Sequence, residues 1–477
     1  MTRLAWTFLR SAGWPRAALL TGTTALATAL LLVALTMLLL PSQPVEALFS
    51  LVAEPGLRWG TAFATALLVL PLLLMLNQVV RLGTATRERR LAALRLAGAT
   101  PAEVRRIGAI EVGLPVIVGA MAGPLVFALL RALFGGQRVI PGEGMHVVDL
   151  TVTPPSDVVS YSRLDSGLSL IPTSVTPAWW QMVAVVALVA AAGVVTGSLA
   201  SRHLVASPLG VSRRVRRPAP RPWGLLLVGT GLGAMAAYAS GVFVYGAGQA
   251  VGMAGILLVV LGVVALGPCV AFRSGQRAAR RTSDPATLIA AGHLVSDPRP
   301  AGRAAAVVGA ISLGSGLAAV MEVGVLAYSN DPFTDWFKVI SFVLVGLALI
   351  LVLVVTACTM AVHAAESLVD RRRVLAALVA AGTPVSVLRD ALRREAMLTS
   401  MPLSIGGVLL GAVVAGGVGV AAADSTGTLA VNLAGLLFVC GQVIVTVGLT
   451  WVAIRIAIRA VAPRLLKATA PGNLRTE

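Results

Sequence analysis

The side chains that could bind a metal or attack a substrate are few and widely spaced. The chain of 477 residues has three cysteines, Cys269, Cys358 and Cys440, all within apolar runs. Such a set offers neither a disulfide framework nor the spacing of zinc ligands. Among the four histidines, His363 shares a predicted helix face with Glu366, but the H-E-x-x-H pattern of zinc hydrolases is missing. We therefore predict no metal site, no disulfide and no enzymatic activity.

Nucleotide binding has no recognisable motif in this chain either. A P-loop requires G-x-x-x-x-G-K-[ST], and neither of the two lysines, Lys338 and Lys467, follows a glycine. The stretches GTGLGA (229–234) and GSGLAA (314–319) resemble a dinucleotide turn weakly, but they lie inside apolar runs. We interpret them as sites of close helix packing. Two further glycine pairs have G-x-x-x-G spacing, Gly193/Gly197 and Gly407/Gly411.

The composition is that of an integral membrane protein. The chain is 57% hydrophobic and 12% charged, with a mean hydropathy of +0.88, which leaves too little polar surface for a soluble protein of this size. In a soluble protein, the net charge of +18 would suggest nucleic acid. Here the arginines lie in the short gaps between apolar runs, so we expect membrane lipids, and no nucleic acid, around this charge.

The apolar runs predict an all-α polytopic membrane protein with ten transmembrane helices. Of the 38 basic residues, 33 fall in alternate gaps, which follows the positive-inside rule and places both termini in the cytoplasm of a bacterial cell. The first span is expected to be retained, because its apolar core is longer than that of a signal peptide. The predicted spans are 17–40, 58–82, 108–134, 178–201, 222–244, 248–272, 305–327, 338–365, 396–421 and 428–454.

Two arginine-rich segments between spans are near copies of each other. RERRLAALRLAG (87–98) aligns with RRRVLAALVAAG (371–382), and a Thr-Pro pair soon follows each glycine. Each copy then has a glutamate 13 residues beyond its glycine, Glu111 and Glu395. Internal duplication is common in transporters, and parallel repeats place the two copies on the same side of the membrane.

Each copy predicts a short amphipathic helix, a tight turn and a second helix that enters the membrane. In the first copy, Leu91 and Leu94 form one apolar stripe. Gly98 is predicted to end that helix in the left-handed conformation, and Thr100 to cap the next helix with Glu103 at its third position. A single such helix could rest on anionic lipid, but its repetition favours a docking element. The second copy has Leu375, Leu378, Gly382, Thr383 and Pro384 in the same roles.

The first segment resembles the signature of the FtsX-like permease family, the membrane subunits of MacB-type (type VII) ABC transporters. In that signature an Arg/Glu-rich segment leads to a leucine-rich helix, a glycine and then a helix with a glutamate. The residues that fit are Arg87, Glu88, Arg89, Arg90, Leu91, Leu94, Arg95, Gly98, Ala99 and Glu111. The second copy departs from the signature, since Arg372 stands in place of Glu88 and Val379 in place of Arg95.

The resemblance implies two four-helix FtsX-like domains joined by a two-helix linker, similar to the ten-helix bacitracin-type (BceB-like) permeases. The large extracellular domain that those permeases carry between spans seven and eight is missing here. The one sizeable outer segment is 135–177, for which we expect a small extracellular loop domain with short β-type runs such as HVVDLTV. The expected divisions are 17–201 for the first permease domain, 202–304 for linkers and spans five and six, 305–460 for the second domain and 461–477 for a cytoplasmic tail.

The resemblance also implies a mechanism and partners. A separate ABC ATP-binding subunit, acting as a dimer that binds ATP and Mg, docks below the membrane, and its closure moves the helices of this chain, which itself binds no cofactor. Substrates of the family are hydrophobic, peptide or lipid-like, and a sensor histidine kinase partner would favour defence against antimicrobial peptides. The residues expected to dock on the ATPase are Arg87, Glu88, Arg90, Leu91, Leu94, Arg95, Gly98, Arg371, Arg372, Leu375, Leu378 and Gly382, with the leucine stripes filling a groove.

Glu111 and Glu395 admit two interpretations. They pair with neighbouring arginines at the membrane edge, namely Arg105 or Arg106 and Arg393 or Arg394, or they transmit motion from the docking helix into spans three and nine. Other function classes also remain. A non-transporting regulator, like the FtsX cell-division protein itself, has one such domain rather than two. An ion-driven secondary transporter needs polar residues within the membrane, and the candidates are Asn77, Gln78, Glu322 and Gln442.

Overall fold

The computed structural model describes residues 14–41, 52, 55–81, 98, 100–135, 139–140, 166–167, 169–205, 219–240, 247–327, 332–422 and 429–470. Its helices are α1 (Trp14–Leu38), α2 (Pro55–Leu67), α3 (Val69–Arg81), α4 (Pro101–Phe134), α5 (Trp179–Val205), α6 (Trp223–Ala239), α7 (Ala247–Arg281), α8 (Pro285–Ser296), α9 (Pro298–Ala327), α10 (Pro332–Asp370), α11 (Arg372–Ala380), α12 (Val385–Ala422) and α13 (Leu429–Ala468). Two short strands, β1 (Val139–Ile140) and β2 (Ser166–Gly167), pair antiparallel.

The prediction of an all-helical polytopic membrane protein is confirmed. Within the described residues, seven helices are long and apolar enough to cross a membrane, or eight if α10 and α11 count as one bent span. The predicted fourth and fifth spans coincide with apolar helices at Trp179–Val195 and Trp223–Ala239, which are shorter than the other seven. The count of ten spans therefore stays a prediction.

The helices that flank the two basic segments pack alike. Helix α1 lies along α4, and α9 lies along α12; α4 then contacts α5, and α12 contacts α13. Glycines permit both close approaches. A Cβ on Gly119 would lie 2.0 Å from Thr24 Oγ1, and one on Gly316 would lie 2.0 Å from Val408 O. Small residues at such crossings let helix backbones pack closely in a membrane, where dispersion forces dominate association.

The glycine-rich stretches are helix interiors, as the packing interpretation requires. In the first stretch, a Cβ on Gly231 would lie 2.7 Å from Gly255 O, so this glycine lies where α6 crosses α7. Gly229 and Gly314 have open space around an added Cβ, unlike Gly316. One glycine in each stretch is thus fixed by packing, and both stretches lie within helices (α6 and α9).

One side of α4 has the character of a lipid-facing surface. Met121, Leu125, Leu129 and Leu133 recur every fourth residue and are exposed, with Leu125 at 74%. Because residues four apart lie on one helix face, they form a continuous apolar stripe. In water such a stripe would be costly, whereas in a bilayer it meets acyl chains.

Helix α8 was not expected from the sequence, which was interpreted as a cytoplasmic linker at this position. It lies between α7 and α9 and packs against α7 and α12. Leu294 is fully buried, and a Cβ on Gly275 of α7 would lie 2.7 Å from Leu294 Cβ. The helix therefore ties the middle of the chain to α12. We call the end of the bundle where α4 and α12 begin the basic end.

At the opposite end, the chain after α4 turns back on the helix terminus. Leu170 and Ile171 donate backbone hydrogen bonds to Phe134 O, at 3.0 and 3.3 Å, and Arg131 donates to Thr173 O. The β1–β2 pair provides a small part of the predicted loop domain, while HVVDLTV lies outside the described residues. An open cleft of about 470 Å³ lies here between α4, α5 and this loop, with Phe127, Arg131 and Met182 among its lining residues.

Candidate functional site

The two turn glycines have the left-handed conformation predicted for them. Gly98 has φ +94° and Gly382 has φ +92°. Side chains other than glycine adopt such φ values at a cost. An added Cβ at either position would meet nothing within 4 Å, so the requirement for glycine comes from the backbone and not from space.

The turn at Gly382 is a complete Schellman motif. Gly382 N donates to Val379 O at 2.9 Å, and Thr383 N donates to Leu378 O at 3.0 Å. These bonds satisfy carbonyl groups that the end of α11 leaves without helical partners. The angle between α11 and α12 is thus fixed by backbone hydrogen bonds at the turn.

The start of α4 has Thr100 as its cap, as predicted, and Glu103 completes a capping box. Thr100 Oγ1 accepts from Glu103 N at 3.3 Å, and Glu103 Oε2 accepts from Thr100 N at 2.9 Å. The backbone and hydroxyl bonds from Thr100 hold the pKa of Glu103 below its ordinary value. The second copy has Ser386 three residues after its threonine, so it has no carboxylate for this box. Helix α12 instead begins at Val385, with Pro384 O accepting from Val387 N at 3.0 Å.

The orientation predicted for the leucine stripe of α11 is wrong. Leu375 is 4% exposed and belongs to a buried cluster of this chain with Leu388 and Ile454, and Leu378 packs against that cluster. The physical reason is that α11, which leaves α10 at an angle of 67°, lies back against α12 and α13 and finds an apolar partner there. Leu375 is therefore not available to fill a groove on another protein.

The opposite side of α11 is open. Arg373, Val374 and Ala377 are exposed, with Val374 at 53%. We call these three residues the outer face of α11. Arg371, which was expected to dock, turns inward instead, and Arg372 is half-buried. The corresponding segment of the first copy lies outside the described residues, and with it Arg87, Glu88, Arg90, Leu91, Leu94 and Arg95.

Glu111 forms an ion pair with an arginine that is distant in sequence. Arg16 Nη1 lies 2.8 Å from Glu111 Oε1, and the Arg16 side chain is 7% exposed. The same guanidinium donates to Val79 O at 3.3 Å and to Val80 O at 2.9 Å. The local partners proposed from the sequence, Arg105 and Arg106, have side chains outside the described part. Arg16 therefore joins α1, the end of α3 and the beginning of α4.

Glu395 is buried in a cluster of cationic and imidazole groups from three other parts of the chain. Its Oε2 lies 3.1 Å from Arg371 Nη1 and 3.2 Å from His293 Nδ1, and its Oε1 lies 4.0 Å from His363 Nε2. Arg371 Nη1 also lies 2.7 Å from His293 Nδ1. We call these four residues the Glu395 cluster. It joins α8, α10, the α10–α11 junction and α12.

The local partners proposed for Glu395 have other contacts. Arg393 lies 3.7 Å from Asp390 on its own helix. Arg394 lies 2.7 Å from Asp284, the N-cap residue of α8, and also contacts Thr287. This correction follows from helix geometry, because Arg393, Arg394 and Glu395 point about 100° apart around α12.

Sequence reasoning missed His293, His363 and Asp284. The two histidines are separated from Glu395 by long stretches of chain, so spacing gave no signal for them. The Asp284-Pro285 pair, however, is a helix start signal of the N-cap and first-position type, and it would have identified α8. Within the described residues, no group of three or more potential ligands is arranged to hold a metal ion.

The polar residues considered for ion-driven transport are parts of helix contacts where they are described. Gln442 Nε2 donates to Ser315 Oγ at 2.7 Å, and Ser315 bonds to Thr446 at 2.8 Å. Gln78 is buried in α3. The side chain of Glu322 lies outside the described part. Hydrogen bonds of this kind commonly join helices within membranes.

Comparison with known protein families gives one match. Residues 61–209 match the family model described as FtsX-like permease C-terminal. The match covers a little under a third of the chain and includes α3, α4 and α5 with the first basic segment. No curated protein matches the chain.

Proposed function

We propose that the chain is a membrane permease component of an ABC-type system, as its match to the FtsX-like permease model over residues 61–209 supports. In this proposal it couples ATP hydrolysis by a separate ABC ATP-binding subunit to work on a substrate by mechanotransmission. The observation that carries this proposal is the repetition of one element. The same left-handed glycine turn occurs twice at the basic end, at Gly98 and Gly382, and each turn leads into a helix with a buried or half-buried glutamate.

Each element would receive one ATP-binding subunit. Its docking surface in the second copy is the outer face of α11, in place of the leucine stripe expected from the sequence. Alignment of the glycines places Arg89, Arg90 and Ala93 of the first copy at the positions of Arg373, Val374 and Ala377. The first copy thus offers two arginines and an alanine, and the second offers one arginine, a valine and an alanine. Such surfaces suit a groove with an apolar floor and an acidic rim. ATP and Mg would be bound by the partner, and the stoichiometry would be one permease with two ATPases.

The two glutamates provide a route for motion from these elements. Arg16 links Glu111 to α1 and to the last carbonyls of α3, so a tilt of α4 moves three helices together. The Glu395 cluster does the same for α8, α10 and α12. Ion pairs of this burial are costly to break. A force on one of the linked helices would therefore move the others with it instead of breaking one ion pair.

The substrate would be handled at the end opposite to the basic end. We place the basic end in the cytoplasm of a bacterial cell, with both termini, because the arginines concentrate there. The open cleft at Phe127, Arg131 and Met182 then faces the outer leaflet, next to the exposed Trp179 and Trp180. Its apolar walls and one arginine fit export or extraction of a hydrophobic, peptide or lipid-like substrate. Efflux of an antimicrobial peptide, with a sensor histidine kinase as regulator, falls within this class.

Co-purification tests the proposal. The permease is extracted in detergent together with the ABC ATP-binding subunit encoded beside its gene. We expect a stable complex whose ATPase activity differs from that of the isolated subunit. Absence of any such gene, or of binding to its product, contradicts the proposal. The second candidate, a non-transporting regulator, predicts the same complex. The two candidates differ in their other outputs. A regulator would activate an extracellular partner, and reconstituted vesicles that contain it would export no substrate.

A further inference from the structure

The outward side of α13 changes from apolar to basic along a single stripe. The exposed residues of this stripe are Leu437, Ile444, Trp451, Arg455 and Arg459. Steps of seven and then four residues keep them within about 80° around the helix axis. The stripe is therefore apolar as far as Trp451 and carries one positive charge on each of the next two turns.

This change of character coincides with the level of a membrane surface. Helix α13 ends at the basic end, because Leu465 lies in one buried cluster with Leu388, near the start of α12. At 1.5 Å per residue, Leu437 lies about 27 Å from Arg455 along the axis, which is close to the thickness of about 30 Å of a hydrocarbon core. Tryptophan is enriched where that core meets the headgroups. Arg455, one turn beyond Trp451, therefore lies at the headgroup level.

The two arginines of the stripe have no acidic partner within the part of the chain that the structure describes. Arg455 Cζ lies 4.0 Å from the centroid of the Trp451 ring. A guanidinium stacked on an aromatic ring keeps the N–H groups at its edge available, and these suit the oxygen atoms of a phosphate. Arg455 is thus oriented by the ring, with Arg459 on the following turn of the same face.

Two glycines form a shallow slot in the apolar part of the stripe. A Cβ added to Gly441 or Gly448 would meet no described atom within 4 Å. The exposed side chains that border the two glycines are Ile444 and Trp451 on one side and Val445 and Val452 on the other. Glycine weakens a helix interior relative to alanine, and neither of these two packs against a described neighbour. The slot runs along the axis toward the arginines and suits an extended acyl chain.

We propose that this face of α13 binds one anionic phospholipid of the leaflet at the basic end. Its phosphate lies between Arg455 and Arg459, and one acyl chain lies along the slot at Gly448 and Gly441. The ligand thus supplies a negative charge where the stripe is basic and an apolar chain where the stripe is apolar. This site belongs to the permease chain alone and does not depend on the proposed function.

Charge separates this occupant from the others that could cover the face. Small residues on an exposed helix face also suit a second copy of the chain. Two copies inserted in the same direction would, however, bring Arg455 and its counterpart to the same level, where like charges repel. An ATP-binding subunit meets the permease outside the membrane and does not reach Gly448. A phospholipid satisfies both ends of the stripe at once.

Native mass spectrometry of the delipidated full-length permease provides the test. Dioleoyl phosphatidylglycerol is compared with dioleoyl phosphatidylcholine, which has the same acyl chains and no net charge. We expect each chain to retain one phosphatidylglycerol, with a dissociation constant about tenfold lower than that of phosphatidylcholine. Arg455→Gln should weaken phosphatidylglycerol binding about fivefold, which is the usual contribution of one arginine near an anionic surface.

Two further variants assign the effect to the stripe. Arg464→Gln is the matched control, because Arg464 is also exposed on α13 but lies about 180° around the axis from Arg455. It removes the same charge and should leave the affinity unchanged. Gly448→Leu fills the slot and favours the helix, so it should weaken the binding of both phospholipids without loss of folding.

The inference is overturned if the two phospholipids bind equally well or if Arg464→Gln weakens binding as much as Arg455→Gln does. Displacement of the lipid by excess inorganic phosphate would also overturn it, because the acyl chain would then contribute nothing. A permease dimer that Gly448→Leu dissociates would identify a second copy as the occupant instead. Failure to bind an ATP-binding subunit would contradict the proposed function and leave the lipid site unaffected.

Discussion

Gly98 and Gly382 are 284 positions apart in the chain and have almost the same backbone conformation, with φ of +94° and +92°. A Thr-Pro pair begins within two residues of each glycine. Each is then followed by a long helix, α4 or α12, that packs against α1 or α9 respectively. The backbone conformation of this glycine is thus duplicated along with the sequence. In the proposed mechanism, the two turns keep their conformation while the helices attached to them move.

Substitution of the two turn glycines should uncouple ATP hydrolysis from transport. Alanine at Gly382 meets no atom but costs about 1–2 kcal/mol in a left-handed conformation, and valine costs more. We expect Gly98→Val/Gly382→Val to insert normally while substrate transport per ATP hydrolysed falls at least tenfold. Gly406→Ala is the control, because Gly406 is helical and its added Cβ also has open space. Full coupling in the double variant would refute the role of the turns.

Neighbouring residues of α11 should separate docking from folding. Val374→Asp changes the outer face and should weaken ATPase binding at least tenfold with little effect on the thermal midpoint of the permease. Leu375→Ala removes a buried side chain and should cost about 2–5 kcal/mol of stability while leaving binding by the folded fraction unchanged. Binding isotherms and thermal unfolding in detergent measure both. If Leu375→Ala weakened ATPase binding and Val374→Asp did not, the leucine stripe would be part of the docking surface after all.

The Arg16–Glu111 pair should be required for stability as a pair. Glu111→Gln leaves a buried guanidinium without its carboxylate, and loss of one partner of a buried pair costs about 3–5 kcal/mol. Arg16→Met with Glu111→Leu removes both charges and should recover most of this loss. Thermal unfolding of Arg16→Met alone, Glu111→Leu alone and the variant that combines them forms the cycle. Additive effects would show that the two side chains do not interact.

The second glycine-rich stretch should respond as a packing site. Gly316→Ala places a methyl group 2.0 Å from Val408 O, which forces α9 and α12 apart and should cost about 1–3 kcal/mol. Gly314→Ala, two residues away on the same helix, meets nothing and should gain about 0.5–1 kcal/mol from helix propensity. Equal thermal midpoints for the two variants would be inconsistent with this interpretation.

The N-terminal cap of α8, provided by Asp284, should weaken at acid pH. Hydrogen bonds from the Thr287 backbone and hydroxyl and the charge of Arg394 lower the pKa of Asp284 from its ordinary value of 3.8. A lowered pKa means that this contribution is fully present above about pH 4 and is lost as the pH falls through the folded-state value. Hydrogen exchange of α8 amides should therefore rise, after correction for intrinsic rates, below about pH 4. In Asp284→Asn, which keeps a capping oxygen, that rise should be smaller.

Local features of this fold were accessible from the sequence because their causes are local. The turn at Gly98 and the capping box at Thr100 depend on residues within a few positions of each other. The spans follow from runs of apolar residues, and the duplicated segment from its letters. Helix α8 was not predicted, because its length and apolar character are also those of a connector. Its start signal, Asp284-Pro285, was nevertheless present in the sequence.

Long-range pairing was not accessible in the same way. The partner of Glu111 is Arg16, at the beginning of the first helix, and the partners of Glu395 include His293, more than a hundred residues away. The stripe at Leu375 was correctly identified as amphipathic, but which surface covers it is a tertiary question. From the sequence we expected a partner protein to cover the stripe, whereas in the structure apolar residues of the same chain cover it.

Native mass spectrometry of the assembled complex tests the central claim most directly. One permease chain with two docking elements predicts a complex of one permease with two ATP-binding subunits. Reversing the outer face of α11 alone, with Arg373→Glu and Val374→Asp, should leave one ATP-binding subunit on each permease. Adding Arg89→Glu and Arg90→Asp should leave none. A parent complex with a single ATP-binding subunit, or two subunits retained after all four changes, would contradict the account.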